Sequence, residues 1–253
     1  MSSLLVVSGL EKAYGGVKAV NNVTFEVKER TIFSVIGPNG AGKTTLFNLL
    51  TGIDKPNAGS ILFKGKELVG LPPFKIASQG ISRTFQNLQI FFNMSVIENV
   101  MVGCHRLGKT SMISAIFRMP STLKEEKFME TKAKEALKFC GMEGLQDKMA
   151  DSLPYGQLKK LEIARALASE PELVLLDEPA AGLNDTETVE LSNLIKKIVE
   201  NGITVLLVEH NMGLVMDISD DVMVLNYGQL LAKGPPSQIQ KDPKVIAAYL
   251  GEE

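Results

Sequence analysis

The 253-residue chain contains only two cysteines, Cys104 and Cys140, which excludes a disulfide-stapled scaffold and suits a reducing compartment. It also lacks an excess of charge. Twenty-seven Lys and Arg stand against 29 Asp and Glu, a formal net charge of -2. Nucleic-acid binding, which needs clustered Lys and Arg, is not expected from that balance. No apolar run approaches the ~20 residues of a membrane span; the longest, such as Leu173-Leu176 and Ile203-Val208, are strand-sized. The first residues, Met-Ser-Ser-Leu-Leu-Val-Val, have neither a basic segment nor a small-residue cleavage site, so no secretory leader is expected. Repeats, low-complexity tracts and long charge blocks are missing as well. A hydrophobic fraction of 45% and a charged fraction of 22% then describe a chain able to bury a substantial core.

Short apolar runs alternate with helical spacing, the α/β pattern. Leu4-Leu10, Val23-Val27, Ile32-Ile36, Ser60-Phe63 and Ile81-Phe85 read as strands, and a helix opens at Lys43 and runs to Leu50. From about Ser95 to Leu153 the spacing turns helical, and Thr122-x-x-Glu125 reads as a capping box opening a helix to about Cys140. Beyond Pro154 the alternation returns. A helix is expected over Gly156-Ser169, a strand over Leu173-Leu176, a helix over Asp185-Glu200 and a strand over Thr204-Val208. Near-continuous apolar strands suit a parallel sheet covered on both faces. Val222-Leu225 and Gln229-Ala232 flank Asn226-Tyr227-Gly228, a hairpin signal, and a short helix follows at Pro243-Leu250.

Two segments carry chemistry. Gly37-Pro38-Asn39-Gly40-Ala41-Gly42-Lys43-Thr44 satisfies G-x-x-x-x-G-K-[ST] between a strand and a helix. The glycines let successive N–H groups converge on an anion, the helix adds its positive end, and Lys43 adds a full charge. The Thr44 hydroxyl suits Mg²⁺. The second segment is an apolar strand ending in Asp177-Glu178, which sets two carboxylates at the carboxyl edge of a sheet, where open α/β folds bind ligands. Asp177 suits a Mg²⁺ partner, and Glu178, turned to the other side of the strand, suits the polarisation of attacking water.

With those motifs the chain resembles the ATP-binding subunits of ABC transporters over essentially its whole length. The resemblance implies a single domain, residues 1–253: a P-loop NTPase core (RecA-like, mainly parallel sheet) with an N-terminal antiparallel β region, and an inserted helical subdomain. The core is assigned to about residues 1–87 and 160–253, the helical subdomain with its signature to about 88–159. It implies ATP and Mg²⁺ as cofactors, held by Tyr14 on the adenine, by residues 37–45 including Thr45 on the phosphates, and by Thr44, Gln86 and Asp177 on the metal. Glu178, His210, Lys43 and Gln86 take catalytic roles, and Tyr155, Gly156 and Gln157 of Leu153-Pro-Tyr-Gly-Gln157 act in trans on a partner's ATP. The remaining histidine, His105, is assigned no role.

Two positions depart from the family pattern. Pro154 replaces the signature serine, and Asn184 in Ala181-Gly-Leu-Asn184 replaces an aspartate. Proline is tolerated where a helix starts, so the N–H groups of Tyr155 and Gly156 are expected to carry the anion contact. Within the family, Ile81-Ser-Arg-Thr-Phe-Gln-Asn87, Glu178-Pro-Ala-Ala-Gly-Leu-Asn184 and Ala247-Ala-Tyr-Leu-Gly251 are similar to the LivG-type subunits of branched-chain amino-acid importers; subunits for urea or amide uptake and for lipopolysaccharide export are similar too. The implied partners are a second ATP-binding subunit arranged head to tail, permease subunits docking near Phe91 and Phe92, and an extracytoplasmic substrate-binding protein. The implied location is peripheral, at the cytoplasmic face of the membrane. A DNA- or ribosome-directed ABC ATPase, a phosphotransferase and a non-hydrolysing regulatory module are the rival readings. The short insert, the single phosphate loop and the near-neutral charge argue against the first.

Overall fold

A computed structural model describes residues 2–107 and 120–250, with the side chains of residues 120–123 and 250 left aside. Its framework is a six-stranded sheet in the order β10-β9-β3-β8-β7-β6. Here β3 is Ile32–Ile36, β6 Ile81–Arg83, β7 Leu173–Asp177, β8 Thr204–Val208, β9 Asp221–Asn226 and β10 Gln229–Gly234. All neighbours run parallel except the β9–β10 hairpin at one edge. Every residue of β3, β7 and β8 is buried, which is why these segments read as unbroken apolar runs. Their alternate residues serve different cores. Leu173 and Leu175 join Phe33, Phe47 and Leu206 on one face, while Val174 and Leu176 join Val205, Leu207 and the helical region on the other.

The first face is covered by an antiparallel sheet of order β2-β1-β4-β5, built from β1 (Ser3–Tyr14), β2 (Val17–Lys28), β4 (Ala58–Phe63) and β5 (Lys66–Glu67). Helix α1 (Lys43–Leu50) lies in the same core through Leu46, Phe47, Leu49 and Leu50. Here two expectations fall short. β1 runs four residues beyond Leu10 to Tyr14, and β2 starts at Val17 rather than Val23. The extension is a solvent-facing ribbon around Gly15-Gly16, with shifts in register, so its polar residues carry no clean alternation. β6 conversely ends at Arg83, two residues short of Phe85.

The opposite face carries the helical region: α3 (Val96–Gly103), α4 (Pro120–Phe139) and α5 (Tyr155–Leu167). Ser95 and Glu98 close a reciprocal capping box at the start of α3. The Thr122 cap expected for α4 lies outside the described side chains, and the helix is already present at Pro120. Helix α5 packs on α3 and α4 through Leu158, Leu161 and Ala164, and the expected boundary between residues 159 and 160 falls inside it. Of the methionines concentrated in this region, Met129 and Met142 are buried core and Met149 is exposed.

Helices α2 (Pro73–Ser78), α7 (Met212–Ile218) and α8 (Pro236–Ile239) were not legible from spacing; each is seven residues or fewer. The longer α6 (Asp185–Glu200) and the final α9 (Pro243–Leu250) lie where the pattern puts them. Among the described residues no helix is long and apolar enough to cross a membrane.

Candidate nucleotide site

Because β3, β7 and β8 are parallel neighbours, the segments leaving their carboxyl ends emerge on one edge of the sheet. The glycine loop leaves β3, Asp177-Glu178 closes β7, and Glu209-His210 follows β8. Chain order spreads these segments from Gly37 to His210, whereas sheet order makes them neighbours.

The loop enters α1 at Gly42, whose φ of 100° belongs to the left-handed region, and a Cβ there would sit 2.2 Å from the Ala19 carbonyl oxygen. Lys43 is nearly buried, and its ammonium donates to the carbonyls of Gly37 at 2.7 Å and Pro38 at 3.0 Å. Burial pushes its pKa down, while the carboxylates of Glu178 and Asp177 pull it back up. Lys43 and the two carboxylates thus share this edge. Thr44 is exposed beside Lys43.

The two carboxylates face different partners. Asp177, 2% exposed, accepts from Arg83 Nη2 at 2.7 Å. Burial raises its pKa and the guanidinium opposes that shift. Arg83 also donates to Asn48 of α1 and to its C-cap Thr51, and its guanidinium carbon lies 5.4 Å and 5.0 Å from the Phe47 and Phe85 ring centres. Among the described residues its buried Nε has no hydrogen-bond partner. Glu178 has left the strand, with φ of 49°, and takes two bonds: Gln86 Nε2 at 2.9 Å and His210 Nε2 at 2.9 Å. The expectation that the two carboxylates diverge therefore describes the structure, and Gln86, Glu178 and His210 form one hydrogen-bonded trio. Gln86 Nε2 donates to Glu178, so the amide oxygen is the atom of this side chain that could face a metal. A hydroxyl, an amide oxygen and a carboxylate are hard donors that suit Mg²⁺.

Tyr14 ends β1 and is anchored rather than free. Its hydroxyl donates to Asp54 at 2.5 Å, a bond that raises the phenol pKa and lowers that of the carboxylate. Lys12 lies 4.9 Å from the ring centre and also pairs with Asp54. The ring is 46% exposed, so it presents a stacking surface at the side of α1.

The signature residues stand apart. Among the described residues, no hydrogen bond, ion pair or ring contact links Tyr155, Gly156 or Gln157 to the glycine loop. Pro154 is the N-cap of α5 rather than its first helical residue; its carbonyl accepts from Gln157 and Leu158, so its missing N–H costs the helix nothing. Gly156 packs against the first turn of α6, where a Cβ would sit 2.3 Å from Glu187 Oε1. Glu187 is the N3 residue of a capping box whose N-cap is Asn184. Asparagine caps a helix as well as aspartate does, so this departure leaves the start of α6 intact.

Sequence reasoning missed Arg83, Glu209, Glu187 and Asp54. Arg83 carried a signal, since it lies three residues before Gln86 and is a charged residue in a strand. Glu187 carried one too, the Asn184-x-x-Glu187 spacing of a capping box; Glu209 and Asp54 bond backbone N–H groups and the Tyr14 hydroxyl and carry no spacing of their own.

The family model described as "ABC transporter" matches residues 20–181, and one described as "Branched-chain amino acid ATP-binding cassette transporter" matches residues 229–253. The high-affinity branched-chain amino acid transport ATP-binding protein BraF of Pseudomonas aeruginosa is 46% identical over 250 residues, 98% of each chain. LivG of Escherichia coli K12, of the same description, is 47% identical with the same coverage. Among solved structures, the ADP conformation of an ATP-binding cassette of an ABC transporter superposes with a TM-score of 0.87 at 33% identity, covering 100% of both chains.

Proposed function

Since the chain belongs to the ABC transporter ATPase family, we propose that it binds and hydrolyses ATP at the Lys43–Asp177–Glu178–His210 edge to power uptake of branched-chain amino acids. The observation that carries the site assignment is the Gln86–Glu178–His210 trio on the same edge as Lys43. The amino-acid substrate rests on the BraF and LivG relatives.

In the proposed mechanism the glycine-loop N–H groups, the start of α1 and Lys43 hold the phosphates. Tyr14 stacks on the base, oriented by its bond to Asp54. Thr44, Asp177 and Gln86 would hold Mg²⁺, which would supply positive charge to offset that of the phosphates. Glu178 Oε1 and Oε2 orient the attacking water, with Gln86 and His210 fixing the carboxylate from either side. Such a site works by positioning and electrostatics more than by covalent chemistry.

The second ATP-binding subunit completes the site. Tyr155, Gly156 and Gln157 start a helix whose N–H groups suit an anion, yet they do not reach the glycine loop of their own chain. A head-to-tail pair brings each signature to the other's ATP. Permease subunits dock beside Phe91 and Phe92, which are 42% and 48% exposed and held by Asn99, whose amide bonds the Phe91 N–H and carbonyl. A groove of about 390 Å³ is lined by Ile53, Phe85, Val102 and Arg165, and the Arg165 guanidinium also lies 5.8 Å from the Phe91 ring centre. The chain then sits peripherally at the cytoplasmic face of the membrane, with an extracytoplasmic binding protein delivering the substrate.

Glu178→Gln keeps the shape of the trio and removes the charge. It is expected to reduce MgATP hydrolysis about 100-fold or more and to elute as an ATP-dependent dimer. Wild-type turnover in that variant, or an elution position unchanged by MgATP, refutes the site or the paired arrangement respectively. Uptake of labelled leucine by the assembled system, set against urea and short amides, tests the substrate.

A further inference from the structure

Glu209 is 3% exposed, carries no counter-cation among the described residues, and yet is fully engaged. Its Oε1 accepts from the Ala180 N–H at 2.7 Å. Its Oε2 accepts from the N–H groups of His210 at 2.7 Å and Asn211 at 3.0 Å. Ala180 lies two residues beyond Glu178 in the turn that follows β7; His210 and Asn211 belong to the turn that follows β8. One carboxylate therefore ties together the two turns that carry Glu178 and His210.

A bare hydrogen-bond cap would need only one of these turns. Burying a carboxylate without a cation is expensive, and three charge-assisted bonds to backbone N–H groups are what offset it. The backbone helps from the other side, since the Glu178 N–H donates to the Val208 carbonyl at 2.8 Å. The chain segments Glu178–Ala180 and Val208–His210 are so closed into a ring, whose last link is the 2.9 Å contact between His210 Nε2 and Glu178 Oε1. Asn211 spends its side-chain oxygen on the Leu214 N–H at the start of α7, so its own N–H is left for Glu209.

We infer that Glu209 is a positioning residue: it sets the distance between Glu178 and His210 without touching nucleotide. The inference rests on the proposed roles of those two residues. Its chemistry is specific to a carboxylate. A glutamine offers one acceptor oxygen and an NH₂ group, and three N–H donors then face a donor at one of the two turns. An aspartate keeps the charge but is one methylene too short to span both turns.

The test uses the full-length chain and steady-state MgATP hydrolysis, with each substitution made alone and with His210→Ala. Glu209→Gln is expected to lower kcat about tenfold with KM for ATP changed less than about twofold, because transition-state geometry and not ground-state binding is lost. On the His210→Ala background the same substitution is expected to add less than about twofold, since coupled residues are not additive. Glu209→Asp is expected to lose kcat similarly, and the turnover of both variants is taken per folded molecule, with the folded fraction read by circular dichroism at the assay temperature, so a folding defect does not mask the result. A kcat for both variants within twofold of wild type overturns the inference, as does an equal fold-loss in both backgrounds. Wild-type turnover in His210→Ala alone refutes the role of the histidine, a separate failure, and removes the coupling with it.

Discussion

The Arg83–Asp177 pair lends itself to a quantitative test, because both partners are almost wholly withdrawn from water. Their side chains are 6% and 2% exposed, and the contact is 2.7 Å. Removing one partner of a buried pair costs about 3–5 kcal/mol, since the survivor is left charged and unpaired. Arg83→Leu isolates that effect: leucine still fills the space between Phe47 and Phe85 but cannot neutralise Asp177. Lost bonds to Asn48 and Thr51 add about 1 kcal/mol each at most. Arg83→Leu should therefore lose about 4 kcal/mol in urea unfolding at pH 8 without divalent metal.

The decisive variant is the double substitution Arg83→Leu with Asp177→Asn. An amide needs no counter-cation, so the pair should recover most of the loss and lie within about 2 kcal/mol of wild type. The pH dependence has a definite sign. Burial already raises the Asp177 pKa in the folded state, and the guanidinium opposes that rise. Without Arg83 the folded state takes up the proton more readily than the unfolded chain, so lowering the pH favours folding at this group. The deficit of Arg83→Leu should be greatest at pH 8 and shrink as the pH falls through the raised value toward the ordinary carboxylate range. A loss under about 1 kcal/mol, or a double variant as unstable as the sum of the singles, refutes the reasoning.

Other outcomes follow from single contacts. Lys43→Ala removes the ammonium bonded to the Gly37 and Pro38 carbonyls and should weaken binding of a fluorescent ATP analogue about 100-fold, within the ~4 kcal/mol of one unit-charge pair at 4 Å; unchanged affinity contradicts the assignment. Asn184→Ala should cost about 1 kcal/mol in urea unfolding and Asn184→Asp a few tenths, because the cap accepts the Glu187 N–H in either case. Equal stability of all three would remove the capping explanation. Burial pushes the Cys104 thiol up to about 11 and the Cys140 thiol up to about 12. At pH 8 neither should react with an aromatic disulfide reagent in the folded protein, and both should react in denaturant; fast modification of either native thiol contradicts the burial.

The sequence by itself determined the elements whose cause is local. Gly37–Thr44 dictates a phosphate loop because those residue types bend the backbone and start a helix wherever they occur. The unbroken apolar runs of β3, β7 and β8 announce strands covered on both faces. Asp177-Glu178 was legible as chemistry because two acids close such a run, and His210 through the family resemblance. What the sequence left open is whatever depends on neighbours distant in the chain. The extension of β1 to Tyr14 is held by pairing with β2, and Arg83 gains its meaning only from Asp177, 94 residues away. Glu209 looked like one letter of a histidine motif, and only the parallel pairing of β7 with β8 brings Ala180 within reach of it. Local propensity and charge were written in residue order, whereas the partners of buried polar groups are assigned by sheet order, which tertiary packing alone decides.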